Sequence, residues 1–282
     1  MKLQTVPARE GALWVRRGFT VFFKRPLAFT ATFVAFMFGV FVLMLLPLLG
    51  SIMLLALLPL VSLGFMIATR TVLEGRLPTP LAFAAPLRTG RPRLYAIAQL
   101  GLIYAIGTYV IVWLSNVVDG GALEALFDTM QGGDATPTAV AEKLSDPRLG
   151  LGMIVRFGLA ALLALPFWHA PALVHWGAQS SPKALFFSTV ACWRNRGAFV
   201  VYALTWFAVI VLFALLANIV FALLGQPDLI KAASVLASLV FSAIFYASLY
   251  FTFTACFVDE GAAVPAPPAP PALPHDGTPP EP

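Results

Sequence analysis

Leu27–Thr69 reads LAFTATFVAFMFGVFVLMLLPLLGSIMLLALLPLVSLGFMIAT and holds no ionisable side chain. Wound as one helix it would be about 65 Å long, roughly twice the hydrocarbon core of a bilayer. The run therefore folds back on itself, and the residues that break it are Pro47 and the Gly50-Ser51 pair. The reading is two crossings, 26–49 and 51–70. The chain is expected to be an all-α, polytopic membrane helix bundle.

Composition agrees, because 60% of the residues are apolar and 11% charged, outside the range of a soluble domain of this length. Four more apolar stretches follow, at 94–116, 149–170, 197–224 and 229–258, for about six spans in all. Gly225-Gln226-Pro227-Asp228 is the turn between the last two. Residues 117–148 form the main loop, in which Gly121–Met130 has apolar residues at helical spacing and Thr136-Pro137 reads as a helix start. The first apolar run is too long for a removable signal peptide and lacks a small-residue cleavage site, so it is expected to stay as an anchor.

Basic residues set the orientation. Lys2, Arg9, Arg16, Arg17, Lys24 and Arg25 precede the first span, Arg70, Arg76, Arg88, Arg91 and Arg93 link the second to the third, and Lys183, Arg194 and Arg196 link the fourth to the fifth. The other side has chiefly Lys143, Arg148 and Lys231 and collects Asp119, Glu124, Asp128, Asp134, Glu142 and Asp146. Both termini are expected in the cytoplasm, in the inner membrane of a bacterium.

Residues 1–25 read as an amphipathic basic helix. Ala8, Ala12, Val15, Phe19, Phe22 and Phe23 fall within an arc of about 100°, with Arg9, Arg17, Thr20 and Lys24 elsewhere. Arg9, Arg16, Arg17, Lys24 and Arg25 are the candidate contacts to lipid headgroups, each contributing about 1 kcal/mol beside an anionic leaflet. Two similar surface helices are expected at 79–93 and 181–196, opened by Thr79-Pro80 and Ser181-Pro182. The recurrence suggests a repeated unit of surface helix plus span, although shared membrane-boundary chemistry explains it almost as well.

Few residues invite chemistry. Arg156 is a charge inside an expected core, either in an ion or substrate role or, more simply, snorkelling to nearby headgroups. Asn218, Gln99 and Thr205 can hydrogen-bond between helices for about 0.6–2 kcal/mol each. Ser234, Ser238 and Ser242 place small groups on one stripe and read as a helix-packing face. His169 and His175 lie beside Trp168 and Trp176 as an interfacial belt. Cys192 and Cys256 are expected as reduced thiols, and no metal or cofactor motif is present. The tail from 259 on, with prolines at 265, 268, 271 and 274, is expected to be extended, mobile and cytoplasmic.

Lys2–Arg9 with Trp14 and Phe19, Ala170–Val174, and Lys183–Ser188 with Cys192 and Asn195 resemble an uncharacterised proteobacterial family of multi-pass inner-membrane proteins. The resemblance covers most of the chain before the tail and implies no catalytic or ligand residue. No nucleophile elbow, phosphate loop or protected carboxylate pair is present, and no acid lies in an expected core to relay protons. The expected function is non-enzymatic: a membrane scaffold, or a protein that contacts a partner or lipid. The alternative is a transporter or channel component for a small solute or lipid, supported by helix breaks at Pro47, Pro59 and Pro166. The bilayer is the expected partner, with a protein partner or homo-oligomer left open and nucleic acid not expected.

Overall fold

The computed structural model describes residues 1–47, 49–131, 136–226 and 229–258. Asp134, Pro227, Asp228 and the proline-rich tail lie outside the described residues. Among those described, six helices are long and apolar enough to cross a membrane. They are α2 (Pro26–Met44), α3 (Leu49–Leu73), α4 (Arg91–Asp119), α7 (Pro147–Phe167), α10 (Arg196–Leu223) and α11 (Leu229–Cys256). The protein is a polytopic helical bundle.

Several boundaries differ from those expected, each for a local reason. The first span stops at Met44 rather than 49, because Leu45 and Leu46 turn ahead of Pro47, their amides bonding Val42 O and Leu43 O. Span three gains residues at both ends and stops where Gly120 and Gly121 adopt φ of +66° and +84°, which an L side chain resists. Asp146 caps α7 by accepting the Arg148 amide at 2.8 Å, and Thr136 caps α6 (Pro137–Leu144) by accepting that of Ala139 at 3.2 Å. Pro59 lies within α3, which continues through it, so the expected break there is absent, whereas α7 ends at Phe167, one residue after Pro166, and the chain turns at 168–169 before resuming at Ala170. The expected surface helix at 79–93 is instead two short 3₁₀ turns, Pro80–Phe83 and Ala85–Arg88, separated from α4 by Gly90 at φ +97°. Pro86 lacks the amide a continuous helix needs there.

Four elements wrap one end of the bundle: α1 (Glu10–Lys24), α8 (Ala170–His175), α9 (Ser181–Arg194) and a ladder of β1 (Lys2–Leu3) with β2 (Phe257–Val258). The ladder is antiparallel, with Lys2 opposite Val258 and Leu3 opposite Phe257, and Gln4 N extends it to Cys256 O at 2.8 Å. The two ends of the membrane domain therefore lie on one face, as an even number of crossings requires. This collar also fits the lengths of α10 and α11, 28 residues each. At about 42 Å they exceed a ~30 Å core by about two turns.

The buried face of α1 differs from the expected arc. Gly11, Trp14, Val15, Gly18, Val21 and Phe22 are buried, whereas Phe23 is 64% exposed. Glycine counts for nothing in an apolar projection, yet here it decides the packing. A Cβ on Gly11 would collide with Ala198 O and lie 2.6 Å from Tyr202 N of α10, and one on Gly18 would lie 2.8 Å from Ser248 Cβ of α11. α1 thus seats its backbone directly on two spans, with Trp14 fully buried against Phe199 and Tyr202.

Candidate functional site: a basic collar

Asn195 fixes the collar to the N-terminal strand. It lies between α9 and α10, 2% exposed, and its Oδ1 accepts the Val6 amide at 2.8 Å while Nδ2 donates to Gln4 O and Ala191 O, each at 3.0 Å. The sequence marks Asn195 only within the family resemblance. A buried amide meeting three backbone groups leaves no signature in residue spacing.

His169, expected with Trp168 in an interfacial belt, is fully buried. Phe199, Phe253 and Phe257 surround its ring at 5.5–6.0 Å, and its backbone amide donates to Ser188 Oγ at 2.9 Å. Cys192 and Cys256 are both buried free thiols. Burial in α9 pushes the Cys192 thiol up to about 12, which keeps it protonated and unreactive at neutral pH.

The candidate intramembrane polar residues separate. Arg156 donates through Nη2 to Asn116 Oδ1 at 2.6 Å, and Asn116 donates in turn to Glu124. This chain ties α7 and α4 to α5 (Ala122–Gln131), at the end of the bundle away from the collar. Buried Asp119 caps the same helix by accepting the Gly121 amide at 2.7 Å. Gln99, on α4, accepts from Ser181 Oγ at 2.9 Å and so docks the start of α9.

Asn218 and the serine stripe, distant in sequence, meet in space. Asn218, Ser234, Ser238 and Ser242 line a cavity of about 310 Å³ between α10 and α11. Ser234 and Ser238 are exposed and Ser242 is half-buried, so the stripe opens on a cleft. The buried face of α11 is instead Ala243, Ile244, Ala247 and Ser248. The Asn218 amide bonds its own helix at Ala214 O, 2.8 Å away.

On the collar, Leu13, Arg16, Arg17, Thr20, Val21, Lys24, Leu73 and Phe251 enclose a groove of about 250 Å³. Val21 and Phe251 form a buried apolar floor, and the three cations form a rim. Arg17 approaches Glu10 at 3.4 Å, whereas neither Arg16 nor Lys24 has an acidic partner within 4 Å among the described residues. Glu74, just past the end of α3, is already held by Arg76 and Arg70, which keep its carboxyl below the usual range. Of the five candidate headgroup contacts, Arg16, Arg17 and Lys24 line the groove. Arg9 and Arg25 flank α1 at its two ends.

A probable inner membrane protein of Burkholderia thailandensis is 33% identical to this chain over 260 residues, covering 91% of the chain and 94% of the relative. No protein-family model matches, and no solved structure matches.

Proposed function

Since the chain belongs to the family of that inner membrane protein, we propose that it works there without catalysis, contacting anionic lipid through a collar that faces the cytoplasm. The observation that carries this reading is the charge of the collar. Of the 18 lysines and arginines, all but Lys143, Arg148, Arg156 and Lys231 lie on that side of the bundle. Exposed aromatic residues sit among them: Phe23 on α1, Phe186 and Trp193 on α9, with Arg196 stacked over Trp193 at 5.8 Å. Cations interleaved with exposed rings suit the headgroup layer of an anionic leaflet.

The orientation has a direct test. With both native cysteines replaced by alanine, a cysteine at Thr138 is labelled by an impermeant maleimide in intact spheroplasts, and one at Thr89 only after lysis. The reverse pattern would turn the molecule over and put the collar outside.

The lipid reading is tested by reconstituting the whole chain in nanodiscs of phosphatidylcholine with and without phosphatidylglycerol. The midpoint of thermal unfolding rises with the anionic lipid, and the rise shrinks as salt screens exposed charge. Equal midpoints in the two lipids would remove the proposal.

A second reading, a component that moves lipid or a small solute, draws support from the cleft at Asn218. The continuity of α3 through Pro59 takes away one of the three helix breaks that also supported it, and those at Pro47 and Pro166 remain.

A further inference from the structure

We infer that the groove on α1 is a discrete site for the phosphodiester headgroup of one anionic phospholipid, with Arg16, Arg17 and Lys24 holding the phosphate. The inference rests on the lipid reading of the collar and narrows it to one place. Arg16, Thr20 and Lys24 recur every four residues on α1, and Arg17 follows Arg16, so three positive charges and a hydroxyl converge along one side of the helix. The rest of the lining is apolar, with Leu73 at the end of α3 beside the floor of Val21 and Phe251. A free anion gains nothing from such a lining, whereas the glycerol and first methylenes of a lipid do.

Charge and size both favour this occupant. Among the described residues Glu10 pairs with Arg17 and Glu74 with its own two arginines, and neither pairs with Arg16 or Lys24, which leaves those two cations for an anion. A volume of about 250 Å³ falls below the ~300–1,000 Å³ of sites that enclose a whole small molecule. The groove is sized for a headgroup whose tails continue outside it. Position agrees as well, since Lys24 lies one residue from Arg25, after which Pro26 begins the first span. A lipid whose chains lie in the bilayer beside α2 therefore has its phosphate at this level.

The experiment compares three forms of the full chain by native mass spectrometry after release from nanodiscs of mixed phosphatidylglycerol and phosphatidylcholine. They are the wild type, the groove triple variant R16Q/R17Q/K24Q, and a control triple variant R88Q/R91Q/K183Q that removes equal charge elsewhere on the collar. Wild type and control retain one phosphatidylglycerol. The groove variant loses it with an affinity drop of about 100-fold, from roughly fivefold for each cation beside an anionic lipid. All six substituted side chains are exposed, and gel filtration with circular dichroism verifies that each variant is folded.

Equal losses in the two triple variants would overturn the discrete site while leaving the collar's general contact with lipid intact. No loss in either would overturn both. A fourth arm adds inorganic phosphate or glycerol 3-phosphate in excess to wild-type nanodiscs. Displacement of the lipid at concentrations comparable to the lipid's own would assign the groove to a free anion instead.

Discussion

Replacing Gly11 with alanine destabilises the protein by about 2 kcal/mol although it adds only one methyl group. The new Cβ meets Ala198 O and Tyr202 N, both backbone atoms of α10 that no rotamer change can move. Relief requires α1 to lift off the span, and overpacking of this kind costs up to about 3 kcal/mol, offset by about 1 kcal/mol from alanine's better helix propensity. Gly18→Ala is milder, because its nearest neighbours, Ser248 Cβ at 2.8 Å and Ile244 O at 3.1 Å, leave more room than those at Gly11. A methyl group at Gly158 in α7 would meet nothing within 4 Å, so Gly158→Ala is neutral or stabilising by up to about 1 kcal/mol. Thermal unfolding of the four proteins in one lipid then ranks Gly158→Ala at or above wild type, Gly18→Ala below and Gly11→Ala lowest. A Gly11→Ala protein as stable as wild type would show that α1 does not seat on α10 as described.

The second large effect is at Asn195. Asn195→Leu keeps the volume and removes every bond the amide makes, leaving the Val6 N–H and Gln4 C=O without partners beside a buried apolar side chain. Each group stranded in this way costs about 1–3 kcal/mol, so the total for the two is about 2–6 kcal/mol. The loss is local first: residues 2–9 peel away, taking the two-residue ladder with β2. Limited trypsin digestion reads this directly, with cleavage after Arg9 becoming much faster in Asn195→Leu while the membrane spans stay protected. Unchanged cleavage would mean that the ladder and the helix contacts hold the strand without Asn195.

Span number and the helix caps were legible because each depends on local chemistry. A charge-free run of known length and a proline after Thr136 act within a few residues of themselves, although the glycine pair that ends α4 was passed over. The face of α1 was not legible in the same way. Its packing depends on Gly11 and Gly18 admitting backbones that lie nearly two hundred residues or more further along the chain, and an apolar projection assigns glycine no weight. The meeting of Asn218 with the serine stripe depends on how α10 and α11 cross, and the burial of His169 depends on Phe253 and Phe257 arriving from the end of α11. The segment at 79–93 shows the opposite case, since Pro86 and Gly90 were visible in the sequence and their effect outweighed the helix-start signal at Thr79-Pro80.

The seating of α1 on α10 and α11 has a consequence for how the protein is made. α1 leaves the ribosome before any span, but Ala198, Tyr202, Ile244 and Ser248, on which it rests, are among the later residues to be synthesised. Its buried side, with Trp14 and Phe22, must wait through the insertion of four membrane helices before its partners exist. During that interval an amphipathic, cationic helix has one stable resting place, the surface of the bilayer next to its own first span. Closure of the collar is thus a late step of assembly, a long-range event that pairs a segment made before α2 with the last of the six spans.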